Sequence, residues 1–137
     1  MYERILVALD YSAVSDRVLA AAKDLASMSG ARVWVLHLRE REIGRMGLVP
    51  AEPDSGEAAA VDSAVKALME TGVDARGEIR ETVFGHTARE IVEDAKLHDA
   101  DVIVMGSRGR GDLAGLVLGS TAHKVIHLAD RPVLVVR

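Results

Sequence analysis

Apolar positions along the chain fall into two kinds of pattern. Short continuous runs recur at Ile5-Leu6-Val7-Ala8-Leu9, Val33-Trp34-Val35-Leu36-His37-Leu38, Val102-Ile103-Val104-Met105 and Val133-Leu134-Val135-Val136. Runs of this length without alternation predict strands buried on both faces. Residues 73–83 form a further strand candidate, made polar by Asp74, Arg76, Glu78, Arg80 and Glu81, as suits a sheet edge or strand end. Between these runs the apolar residues return at helical spacing. Val14, Val18, Ala21, Ala22, Leu25 and Met28 predict a first helix that stops at Ser29-Gly30, with Met28 filling core. Ala58, Val61, Ala64, Val65 and Leu68 predict a second, closed by Thr71-Gly72. Ala88, Ile91, Val92, Ala95 and Leu97 predict a third, with Thr87 as cap and Glu90 completing a capping box. Ala122, Val125, Ile126 and Ala129 predict a fourth, halted before Pro132.

The resulting order is β-α-β-α-β-α-β-α-β across 137 residues, a single α/β domain. Right-handed crossovers between buried strands give a doubly wound parallel sheet with helices on both faces. Residues 39–55 interrupt the rhythm. Mixed charge, Gly44, Gly47, Pro50 and Pro53 mark a long surface loop, whose arginines Arg39, Arg41 and Arg45 read first as solvated charge.

Composition narrows the picture. Aromatic residues are 3%, so Val, Leu, Ile and Ala must build the core. The net charge of −4 argues against bulk nucleic-acid binding. The absence of cysteine excludes a disulfide framework, a thiolate metal site and a redox thiol. The start of the chain lacks the pattern of a signal peptide, and no apolar run approaches the roughly 18–20 residues of a membrane span. A cytoplasmic protein without membrane contact is the expectation.

Chemistry concentrates between Val104 and Thr121. An apolar run meets Gly106, a glycine-rich loop follows, and Gly119-Ser120-Thr121 opens a helix. Strand, loop and helix N-terminus in that order make an anion site, because unpaired backbone N–H groups and the helix dipole face the loop. A P-loop is excluded: Gly106 and Gly111 have its spacing, but Asp112 stands where the lysine belongs. Gly109, Gly111 and Ala114 meet the dinucleotide fingerprint only weakly, too late in the chain for the usual ribose-binding acid. Asp10 ends the first strand, where ligands bind in open α/β sheets; it could equally cap the next helix, as could Ser12. His37 ends a buried run and is expected to be held by a backbone partner rather than to act as a base. His86 and His98 read as helix-end residues, and His123 and His127 as solvated positions on the last helix.

Gly106, two residues, Gly109, nine residues, Gly119 and Ser120 together resemble the nucleotide-binding signature of the universal stress protein family, and the likeness extends over nearly the whole chain. It implies a Rossmann-like, adenine nucleotide alpha hydrolase-like sheet of five strands in the order 3-2-1-4-5, with Asp10 and Gly106 facing each other across the crevice. It also implies a cofactor-binding set of Ala8, Asp10, Leu38, Met105, Gly106, Arg108, Gly109, Gly119, Ser120 and Thr121. In that likeness Leu38 meets the base, Met105 and Gly106 follow the ribose and first phosphate, and Gly109 turns the loop beside the phosphates. Gly119, Ser120 and Thr121 offer donors to the terminal phosphates, and the missing Cβ of each glycine makes room. ATP, ADP or AMP is the expected ligand, with Mg²⁺ held through the nucleotide at Asp10. The partner expected is a second copy, paired through Val133–Val136. A stress sensor or regulator follows. Two alternatives stand beside it: a slow ATPase, for which a lysine clamp and a water-positioning base are not evident, and an interaction module that needs no nucleotide.

Overall fold

The structure is a computed structural model that describes residues 2–12, 14–48, 56–109 and 118–137. In chain order its elements are β1 (Arg4–Ala8), α1 (Ser15–Ser29), β2 (Arg32–Arg41), β3 (Ile43–Gly44), β4 (Gly47–Leu48), α2 (Glu57–Glu70), β5 (Ala75–Val83), α3 (Thr87–Leu97), β6 (Val102–Gly106), α4 (Ser120–Leu128) and β7 (Val133–Val136). Five strands form one parallel sheet in the order β5-β2-β1-β6-β7, which is the expected 3-2-1-4-5 once the small β3–β4 hairpin is set aside.

Strand alternation divides the core into two layers. Ile5, Val7, Val33, Val35, Val102 and Val104 point toward α1 and α2, where they meet Val18, Ala22, Val61 and Leu68. Leu6, Leu36, Ile103 and Met105 point toward α3 and α4, where they meet Ile91, Val92, Ala95 and Val125. Leu6, Val7, Val35, Ile103 and Val104 are wholly or almost wholly buried, each side chain contributing roughly 1.5–3 kcal/mol. Two-sided burial is therefore why these strands read as unbroken apolar runs. The polar β5 is one edge of the sheet and β7 the other. At β5 the α2 helix comes very close: a Cβ on Gly77 would stand 2.8 Å from methyls of both Val61 and Val65.

Several expectations need correction. Residues 39–55 are not one continuous loop. β2 runs on to Arg41 beside β5, and the β3–β4 hairpin turns at Arg45-Met46 and enters β4 through Gly47 at φ 104°; residues 49–55, with Pro50 and Pro53, lie outside the described residues. Met28 is 78% exposed and Leu97 72%, so neither fills core, and Ile126 is half exposed. Thr87 is not a cap. His86 precedes the helix, the Thr87 hydroxyl donates to Glu40 Oε1, and the Glu90 carboxylate is engaged by Arg80. The predicted stops hold better: α1 ends on Gly30 at φ 70°, in the left-handed region glycine favours.

Among the described residues the Arg80 guanidinium meets three carboxylates. It donates from Nη1 to Asp94 at 2.6 Å and from Nη2 to Glu90 at 2.8 Å, and lies 3.5 Å from Glu78. Asp94 is fully buried on α3, so Arg80 supplies the charge that makes its burial tolerable.

Candidate functional site

The sheet reverses its winding at β1 and β6, adjacent parallel strands whose last register pair is Ala8 with Met105. In open α/β sheets a crevice forms beyond the C-terminal ends of strands at such a point. The structure brings much of the expected set there. Ala8 and Met105 are neighbours, Gly106 ends β6, and Ser120 and Thr121 form the first turn of α4. β1 and β2 last pair at Ala8 and Leu36, so Leu38 stands two residues past the end of β1. It is half-buried and packs on the α3–α4 layer, as Ala8 does.

One buried residue holds this arrangement. The Ser107 N–H donates to Val136 O at 2.7 Å, and the Ser107 carbonyl accepts from Gly119 N. The start of α4 is thereby fixed against the end of β6. A helix that begins at Ser120 leaves its first N–H groups without intrahelical acceptors, directed at the crevice with the positive end of the dipole. The hydroxyls of Ser120 and Thr121 sit on that same turn. Donors of this kind, with the exposed Arg108 nearby, suit an oxyanion. Gly109 is half-buried; residues 110–117, which include Arg110, Gly111, Asp112 and Ala114, lie outside the described residues.

At the end of β1 the Asp10 carboxylate accepts the Ser12 N–H at 3.0 Å, stabilising the turn before α1. Capping and ligand contact are compatible, since a carboxylate has four lone-pair sites. Tyr11 follows at φ 58°, unusual for a residue with a Cβ. Gly106 has a structural reason that sequence reading had assigned to the ligand. A Cβ there would meet Val14 Cγ2 at 2.8 Å and the Arg108 carbonyl at 3.2 Å, so the missing side chain first makes room for α1.

A polar cluster beside the crevice was not foreseen as a unit. His37 is buried, its Nδ1 2.7 Å from the Leu9 carbonyl, the backbone partner expected for it. Its Nε2 lies 3.2 Å from Glu57 Oε1, and Arg39 is 2.7 Å from the other Glu57 oxygen. The Tyr11 ring meets the His37 ring edge-on at 4.6 Å. Burial, then the charges of Glu57 and Asp62, push the Tyr11 phenol up to about 12. β2, the start of α2 and the segment after β1 each supply part of this cluster, and no local spacing announces it. Among the described residues there is no group of three or more His, Asp or Glu side chains suited to a metal ion, and no helix is long and apolar enough to cross a membrane.

Sheet order, switch point and helix terminus define a doubly wound α/β protein with an anion-ready crevice. The family model of the universal stress protein family matches residues 1–137, and the chain belongs to that family. It is 35% identical over 153 aligned positions to the universal stress protein YxiE of Bacillus subtilis, covering all of both chains. The structure of the Archaeoglobus fulgidus universal stress protein in complex with dAMP superposes with a TM-score of 0.74 at 28% identity, over 99% of this chain and 98% of that one. A universal stress protein in complex with cAMP gives 0.71 at 26%, over 99% and 97%.

Proposed function

We propose that the crevice at the ends of β1 and β6 binds an adenine nucleotide, ATP first among ATP, ADP and AMP, and that the protein is a cytoplasmic regulator in a stress response. The observation that carries this is the Ser107 peptide, which holds the α4 N-terminus and its two hydroxyls beside the switch point. The dAMP and cAMP complexes of two relatives support adenine as the base. Met105 and Gly106 take the ribose and first phosphate, Gly119, Ser120 and Thr121 the terminal phosphates, and Arg108 screens their charge. Gly109 turns the loop, while Ala8 and Leu38 offer an apolar bed to the base. Asp10 holds Mg²⁺ through the nucleotide. The site is better equipped for binding than for turnover, because no lysine stands in the glycine loop and His37 is engaged at both ring nitrogens. Two copies pair through Val133–Val136, the exposed edge strand.

Thermal melting with and without Mg-ATP tests the proposal. A ligand at about 100 times its Kd adds roughly 2.7 kcal/mol to stability. No shift with ATP, ADP, AMP, dAMP or cAMP would sink it. Gly109→Val and Gly119→Val should each abolish the shift while keeping the far-UV spectrum. Phosphate release at background level from wild type and Asp10→Ala alike marks a binder, whereas release lost in Asp10→Ala marks an ATPase.

A further inference from the structure

The opposite end of the sheet carries a different set of side chains. Here the strands begin, and register places Arg4 beside Arg32 and Trp34 beside Arg76. By alternation all four share the face that carries Leu6 and Leu36. They line a cavity of about 270 Å³ together with Asp74 and His98. Its floor is aromatic: the Trp34 and His98 rings stack at 4.0 Å with 37° between their planes. Trp34 Nε1 is buried and has no hydrogen-bond partner, and His98 Nε2 is left 3.6 Å from the nearest Asp94 oxygen.

Charge at this cavity is unbalanced. Three arginines line it with one carboxylate, Asp74, which meets Arg32 only loosely at 3.7 Å with both side chains about two-thirds exposed. Arg4 and Arg76 form no ion pair among the described residues. Asp101, outside the cavity, accepts the backbone N–H groups of Glu3 and Arg4 and feels the Arg4 charge. The C-terminal end of α3 would repel an anion, but Arg131 donates to the carbonyls of Ala95 at 3.1 Å and Ala100 at 2.7 Å and offsets it.

We propose that this cavity is a second ligand site, specific for a small multivalent oxyanion clamped by Arg4, Arg32 and Arg76 over the Trp34–His98 stack. Guanidinium forks match phosphate and carboxylate oxygens in pairs, and three together select for multiple charge. At about 270 Å³ the cavity is smaller than the roughly 300–1,000 Å³ of pockets that enclose larger organic ligands, which suits a compact ion.

Trp34 is the sole tryptophan, so its emission reports on this cavity directly. Pyrophosphate and citrate are titrated separately at ionic strength held constant with sodium chloride, with calorimetry run in parallel. Saturable binding of either supports the site, and the tighter of the two names the phosphate or carboxylate class. The Arg32→Gln/Arg76→Gln double variant should weaken binding at least tenfold while its melting curve stays cooperative. Asp74→Asn should tighten it at least about fourfold, the effect at about 5 Å in water of removing one like charge from each unit of charge on the ligand. Gly119→Val, at the other end of the strands, should leave it unchanged. A response linear in concentration and reproduced by chloride, or affinity indifferent to the arginines, or an Asp74→Asn variant that binds more weakly, overturns the proposal.

Discussion

Gly106 separates two explanations of a glycine at the crevice. If its missing Cβ serves the packing of α1, then Gly106→Ala must destabilise the protein with no nucleotide present. The new Cβ would stand 2.8 Å from Val14 Cγ2 and 3.2 Å from the Arg108 carbonyl. Overpacking costs about 1–3 kcal/mol, and a backbone carbonyl among the opposing atoms puts this case in the upper half of that range. Alanine returns about 0.5–1 kcal/mol through the lower entropy of the unfolded chain. The net loss is about 1–2 kcal/mol. Unfolding entropy over 137 residues is roughly 0.29 kcal/mol/K, so Tm should fall by about 3–7 °C. Val14→Ala alone should cost about 2 kcal/mol for the lost buried methyls. Combined, the two changes should relieve each other, because the methyl that the new Cβ strikes is gone. The assay is a double-mutant cycle by urea unfolding on protein stripped of nucleotide. A favourable coupling of about 1–2 kcal/mol is expected. Additive losses, or a Gly106→Ala protein as stable as wild type, would refute the packing role and return this glycine to the ligand.

Three further outcomes follow from the polar contacts. Arg80→Met should cost about 3–5 kcal/mol in urea unfolding, because it strands the buried Asp94 carboxylate, whereas Arg80→Met/Asp94→Leu should recover most of that loss. The Tyr11 phenol is raised in the folded state because burial and nearby carboxylates disfavour its phenolate, so it leaves stability unchanged below about pH 10 and lowers it as pH rises toward about 12. Tyr11→Phe should flatten the alkaline side of the stability curve over that window. At neutral pH it should leave stability equal or slightly higher, since the buried hydroxyl has no hydrogen-bond partner among the described residues. Asp101 is held below the usual carboxylate range by the backbone N–H groups of Glu3 and Arg4. Its contribution is therefore present above about pH 4 and lost as pH falls through the lowered folded value. Asp101→Ala should lose under about 1 kcal/mol at pH 7, because the group is well solvated, and progressively less as pH falls below about 4.

The central strands were legible because burial on both faces removes polar residues, which leaves unbroken runs such as Ile5 to Leu9. The edge position of β5 was legible for the opposite reason. That same polarity hid the continuation of β2 through Arg39 to Arg41, which pairs with β5 and reads locally as loop. Helix faces were misjudged where an apolar residue lies just off the stripe. Met28 follows the buried Ala26 by two positions, and Leu97 follows the buried Ala95 by two, about 200° around each helix. Ile126 is one position, about 100°, from the buried Val125. The capping box failed because the helix begins at Thr87 itself, one residue too early for that side chain to cap it. In the crevice the Gly119-Ser120 pair announced the α4 terminus. Long-range contacts escaped: Ser107 linking β7 to α4, Glu57 reaching His37, and Arg80 reaching Asp94 are invisible to local pattern.

The strand order has a consequence for how the chain comes to be folded. β1 is made first, yet it lies in the middle of the sheet, and its second neighbour, β6, begins nearly a hundred residues later. During vectorial synthesis β2 can cover one flank of β1 early. The other flank, with Ile5, Leu6 and Val7, stays open until Val102 to Met105 emerge. Chains arrested before α3 ends should therefore be sticky intermediates, and the closing pair of strands should set the pace of folding.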